Sequence, residues 1–296
     1  MKHLATVFAL SATVLLFGCG GVPAPAPITS SATSPTTPSP GALPVPNIVG
    51  NWQFSATSNV PGNPPLTLAG SISQANSAVS GALHVDGSNC FNRLTPNGLT
   101  GTVTASNTSV TFTTLDGQVV TLAGILTHPA TYYGTVVYDT FIGTYRIDGG
   151  CAGGDLGTVT GNYIDSIARQ SDPTLLSGTF TNSSGQQIFH VTANIVQNDS
   201  ASAAGSFEFT GNATFDTACL GMAAITAGTY PSGSFILGTS VSLEFDTGNG
   251  TLTFLGNLNP DRTNISGNYT VSGGTCNDSG TAVLSASSAG IGYWDY

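Results

Sequence analysis

From Asn47 onward the chain alternates apolar and polar residues in short runs, the period of a strand with one buried face. Gly101–Ala105 (GTVTA), Ser109–Leu115 (SVTFTTL) and Thr251–Leu255 (TLTFL) show it most clearly. Asp116-Gly117 and Asn249-Gly250 each separate two such runs, as a two-residue hairpin turn with φ > 0 requires. No stretch of ten residues carries a period of 3.6, and helix formers are scarce: one Lys, two Glu and two Met. The pattern therefore predicts an all-β chain. In its first half it places strands near 50–56, 66–74, 79–86, 98–105, 109–115, 119–127, 132–147 and 155–164.

The second half repeats the first. Trp52 corresponds to Phe180, Ile72-Ser-Gln74 to Ile195-Val-Gln197, and Cys90 to Cys219. Gly143–Cys151 (GTYRIDGGC) matches Gly267–Cys276 (GNYTVSGGTC). These landmarks keep their order at offsets of 123 to 129 residues, which indicates an internal duplication. The expected units are 47–164 and 175–296, joined by a linker over 165–174 (DSIARQSDPT). Consecutive short turns and about eight strands per unit suit two tandem antiparallel meander barrels, which close their own edges. The alternative is a pair of immunoglobulin-like sandwiches. Cysteines in that fold lie inside strands with a Trp soon after the first. Here Cys90 and Cys151 follow turn residues, and Trp52 precedes Cys90 by 38 positions.

The ends of the chain add a compartment. Lys2 opens the N-terminus and Leu4–Phe17 is an uncharged apolar run, the length of a signal-peptide core and too short to span a bilayer as a helix. Residues 20–46 hold eight prolines and eight Ser/Thr, a composition that favours extended polyproline geometry and cannot bury a core. Fully extended, this tether would reach roughly 80 Å. Leu16-Phe17-Gly18-Cys19 resembles the lipobox of bacterial lipoproteins. The resemblance implies a signal peptide over 1–18, cleavage after Gly18, and acylation of Cys19 at the head of a tether over 19–46. Gly20 after the cysteine, by the same resemblance, favours the outer membrane.

Setting Cys19 aside leaves four cysteines, and export permits disulfides. If each repeat is a domain, the pairs are Cys90–Cys151 and Cys219–Cys276. Cleavage also removes the only lysine, leaving Arg93, Arg146, Arg169 and Arg262 against fifteen acidic residues. So few cations exclude nucleic acid as a partner and adhesion to anionic lipid through basic patches. Membrane attachment then rests on the acyl chains.

Gly50-Asn-Trp52 at the first strand is similar to the G-x-W signature of lipocalins. That resemblance implies an arginine from a late strand packed across the tryptophan, a place Arg146 could take, and a ligand near Trp52 and Arg146. In the second unit Phe180 and Thr270 stand at those positions. The whole chain also resembles the Gly/Thr-rich, cysteine-paired lipoproteins of environmental bacteria, which implies a compartment and no activity.

Candidate chemistry is thin. His84, His128 and His190 lack the spacing of a zinc site, and no G-x-S-x-G elbow occurs. Glu208 and Glu244 each alternate with apolar neighbours, as solvent-facing strand positions do. Asp246–Gly250 and Asp148–Asp155 faintly suggest calcium loops but are ordinary turn compositions. The expectation is a non-enzymatic envelope protein, without cofactor or metal, that presents its β units to a surface macromolecule. The alternatives are a lipocalin-like carrier of a small apolar ligand and an extracytoplasmic hydrolase.

Overall fold

The computed structural model describes residues 45–132, 135–168, 173–260 and 263–286. The first 44 residues, with Cys19, lie outside that range, as do Arg169 and Arg262.

Eight strands form the first barrel: β1 (Gly50–Ser58), β2 (Leu66–Ala75), β3 (Ala78–Asp86), β4 (Asn97–Val103), β5 (Thr108–Thr113), β6 (Val119–Tyr132), β7 (Thr135–Asp148) and β8 (Leu156–Ile164). Each pairs antiparallel with the next, and β1 pairs β8 from Asn51↔Ile164 to Ser58↔Gly157, which closes the sheet. Closure rules out the sandwich. β6 runs past the expected end at 127, through His128 at a positive φ (55°) and on through Pro129 without a break in its register with β7. Its register with β5 ends at Gly124, so Pro129 sits where β6 has no second neighbour, the edge position that proline tolerates.

The second barrel contains β9 (Thr174–Asn182), β10 (Gln187–Gln197), β11 (Phe207–Phe215), β12 (Met222–Ile225), β13 (Phe235–Leu237), β14 (Ser240–Asp246), β15 (Thr251–Leu258), β16 (Asn264–Ser272) and β17 (Asp278–Ala286). Here β17 pairs with β9, and β10 with β11. Two short strands, β12 and β13, share the one place between β11 and β14 that β4 occupies alone in the first barrel.

Alternation sends every second side chain inward. Trp52, Phe54, Leu68, Leu83, Phe112, Leu122 and Phe141 fill the first barrel. Phe180, Phe209, Phe245, Phe254 and Tyr269 fill the second. Ring contacts run through both cores: Trp52 stacks on Phe54 at 5.6 Å, and Phe180 stacks on Phe189 at 4.6 Å and meets Tyr269 edge-on at 4.9 Å. Such pairs add about 0.5–1.5 kcal/mol each beyond area burial. Most outward positions are polar, as in Ser266, Asn268, Thr270 and Ser272 of β16, with Ile125, Ile142, Leu255 and Val283 among the apolar exceptions. A barrel that crosses a bilayer has the reverse arrangement, apolar outside and polar within.

Each barrel is closed at one end by the segment leading into its first strand. Ile48 donates its N–H to Gln74 Oε1 (3.0 Å), Gln74 Nε2 donates to Pro46 O, and Trp52 Nε1 donates to Ile48 O (2.8 Å). In the second barrel Ile167 N–H donates to Gln197 Oε1 (3.1 Å), and the Thr174 hydroxyl donates to Ile167 O (2.9 Å). The repeated glutamines of the sequence are therefore pins for these plugs. The segment expected as a linker places Ile167 and Ala168 in the second core.

The barrels also dock. Asn51, outward-facing on β1 yet buried, exchanges two hydrogen bonds with the backbone of Gly238: Asn51 Nδ2 to Gly238 O (2.9 Å) and Gly238 N–H to Asn51 Oδ1 (2.7 Å). Thr239 N–H donates to Gln53 Oε1 (3.2 Å). Gly238 has φ +56°, and a Cβ there would collide with Gln53 Oε1. Replacing Gln197 with Ala strands the buried Ile167 N–H. Urea unfolding should then register a loss of about 1–3 kcal/mol, and an unchanged midpoint would refute the pin.

Candidate functional site

The loops opposite the plugs form a rim at the far end of each barrel. In the first barrel, Cys90 from the β3–β4 loop is bonded to Cys151 from the β7–β8 loop, with Cα atoms 5.4 Å apart. In the second, Cys219 and Cys276 join the equivalent loops at 6.0 Å. Each closes a loop of similar length and contributes about 3–4 kcal/mol by restricting the unfolded chain. The pairing is the one the duplication predicts.

A side-chain amide ties each staple to a further turn. Gln118, wholly buried at the β5–β6 turn, donates to Cys90 O (2.8 Å) and accepts from Ala152 N–H (2.9 Å). Asn249 donates to Cys219 O (3.3 Å). Beneath each staple lies a tyrosine–aspartate pair: Tyr145 Oη donates to Asp155 Oδ2 (3.0 Å), and Tyr269 Oη to Asp278 Oδ2 (3.1 Å). Neither pair stands out in the sequence beforehand. The signal was the recurrence of Tyr and Asp, each at nearly the same offset as the cysteines.

Asp155 is only 5 % exposed. Burial alone would raise its carboxyl, but hydrogen bonds from Ser58 (2.5 Å), Asn63, Tyr145 and the Leu156 N–H outweigh it and hold the group below the usual carboxylate range. Burial pushes the Tyr145 hydroxyl up to about 12, with Ser58 opposing and Asp155 reinforcing the rise. Burial likewise pushes Tyr269 up, with Asp278 reinforcing it.

Between the first barrel's rim loops opens a cavity of about 300 Å³, lined by Val60, Pro64, Leu66, Phe91 and Asp155 and walled on one side by the disulfide. It is the candidate site. Ser58 and Tyr145 donate to the two different oxygens of the Asp155 carboxylate, which holds it in a fixed orientation. The cavity offers apolar contact beside a carboxylate.

Among the described residues the first barrel's interior offers far less space. The void among Trp52, Phe54, Val110 and Phe141 measures about 10 Å³, at the lower limit of what one water needs, ~10–15 Å³. A carrier's ligand has nowhere to sit there. The lipocalin-like arginine contact is also absent: Trp52 packs against Phe54 and Tyr163 instead. Arg146 lies between inward-facing Tyr145 and Ile147 and so points outward, 66 % exposed, where it pairs with Asp148 at 2.7 Å.

The other candidates are scattered. The His190 ring meets Thr179 Oγ1 (3.0 Å) and Gln187 Nε2 (2.6 Å), while the Asp216 carboxylate accepts the His190 backbone N–H and the Asp216 N–H donates to His190 O. No carboxylate orients that imidazole. Glu208 on β11 and Glu244 on β14 are separated by β12 and β13. Asp246 accepts the Gly248 N–H, an ordinary Asx turn. Among the described residues no group of three or more His, Cys, Asp or Glu could hold a metal ion.

Because the Asp155 carboxyl is held low in the folded protein, its stabilisation is present above the ordinary carboxylate range. It is lost as pH falls through that range, below about 4. Tyr145→Phe removes one donor. Acid unfolding followed by circular dichroism should then begin at higher pH, with about 1.5–3 kcal/mol lost at neutral pH. An unshifted acid transition would show the pair to be incidental.

No family model matches this chain, and no curated protein matches it. Among solved structures, a porin-like protein from Bacteroides uniformis aligns over 81% of this chain and 96% of its own, at 11% identity and a TM-score of 0.18. A superposition that loose carries no argument about fold or role.

Proposed function

We propose that this chain is a non-enzymatic lipoprotein of the bacterial cell envelope, anchored by acyl chains on Cys19. On this reading the Pro/Ser/Thr tether carries the two-barrel body, which binds a surface macromolecule through its loops. The observation that supports the reading best is the filled interior of the barrels. A protein whose barrels enclose nothing must act through its outside, and the loops of the stapled rim are the most strongly fixed part of that outside. The acidic body and its scarcity of arginine argue for a partner other than nucleic acid. Two or more acyl chains suffice for stable anchoring where no other membrane element is present. The preference for the outer membrane rests on Gly20 alone.

The test is fractionation of a host expressing the full chain, with intact mass measured on the membrane-bound product. The expected product begins at Cys19 and carries diacylglyceryl and acyl additions, and Cys19→Ser moves the protein to the soluble fraction. A mature N-terminus at another residue, without lipid, would overturn the reading.

A further inference from the structure

His84 sits on the outer face of β3 but is only 4 % exposed, because the second barrel covers it. Both ring nitrogens face backbone carbonyl oxygens. Nδ1 lies 3.0 Å from Arg93 O, on the β3–β4 loop of its own barrel. Nε2 lies 2.7 Å from Ala204 O, on the β10–β11 loop of the other. Tyr230, from the loop between β12 and β13, meets the imidazole edge-on at 4.6 Å. The neighbouring contacts belong to the same joint: Gly205 packs against the Ala82 carbonyl, and Tyr230 N–H donates to Ser206 Oγ.

A carbonyl oxygen only accepts. Neutral imidazole carries one N–H and one lone pair, so it can serve one of these two carbonyls and must set its lone pair against the other. Imidazolium has two N–H groups and satisfies both. Burial of an unpaired acceptor against an acceptor is costly, and the second barrel brings its carbonyl to the ring only when docked. We propose that protonation of His84 latches the two barrels together, so that proton binding and docking of the β10–β11 loop are coupled.

The charged and titratable groups around the ring are few. Asp86 lies two residues along β3 on the same face, Arg93 follows on the β3–β4 loop, and Tyr230 faces the ring from the second barrel. Asp86 and Arg93 both act electrostatically on Tyr230. The segment Ser202–Ser206 contributes no ionisable side chain. Among these side-chain types, imidazole is the one that gains or loses a proton near neutral pH. The sign follows: the joint is tight at the acid end of that window, where the proton is present, and loosens as pH rises and the proton leaves.

Hydrogen exchange of the full chain, read by mass spectrometry on peptides spanning 199–206 and corrected for intrinsic rates, tests the coupling. The Ser202 and Gly205 amides, bonded to Ser206 O and Ser202 O, report the loop. Their protection should fall about tenfold between pH 5.5 and 8, the change expected when one buried carbonyl loses its donor (tenfold is about 1.4 kcal/mol). His84→Gln keeps one donor and cannot titrate, so its protection should stay flat across that window. The double variant His128→Gln/His190→Gln should keep the full pH dependence, and it decides the matter if His84→Gln does not fold. Flat protection in the wild type, a slope that survives in His84→Gln, or a slope abolished by the double variant would each overturn the latch.

Discussion

The structure depends on closing each sheet around a side-chain core that leaves no room inside. A chain with 38 glycines and so many small polar residues has little aliphatic bulk to spend on a two-layer sandwich. An eight-stranded barrel suits that composition, since its interior is just wide enough for side chains to fill. Large rings among smaller inward side chains, Trp52 and Phe54 in one barrel and Phe180 and Phe254 in the other, complete the packing. Closure also removes every long edge that Thr/Val-rich strands would otherwise expose to aggregation.

From that constraint the ends of the barrels acquire their roles. One end is sealed by the lead-in segment and its glutamine pin, Gln74 or Gln197. The other is fixed by a disulfide, an amide tie and a tyrosine–aspartate pair, repeated in both halves. With interior and plug end occupied, the stapled rim and the polar outer faces are what remain to meet a partner. In the first rim Ser58, at the end of β1, and Asn63 also act on Asp155 beside the cavity.

Much of this was legible in the sequence, and what was not has a physical reason. Period-two alternation located the strands of the first barrel, because burial of one face imposes it directly. The cysteine, glutamine and tyrosine landmarks exposed the duplication, because staple, pin and rim pair each demand one residue type. Docking was hidden: Asn51, Gln53 and His84 occupy outward positions, where a polar residue looks the same whether water or a second barrel covers it. The G-x-W resemblance misled at Arg146, because it assigns a partner by motif while strand parity turns Arg146 away from Trp52. The strand expected over 119–127 runs on through Pro129, because pairing on the far side of β6, which decides whether proline is tolerated, is a tertiary property.

Each barrel is filled by its own side chains and leaves no room for a ligand. Titration of the folded protein with N-phenyl-1-naphthylamine, a small apolar dye that fluoresces on burial, tests this directly. The account predicts no saturable fluorescence from the native protein, and its appearance in Phe141→Ala, where removing a ring beside the existing void opens space for a ligand. Saturable binding of one dye per barrel by the unaltered protein would contradict it.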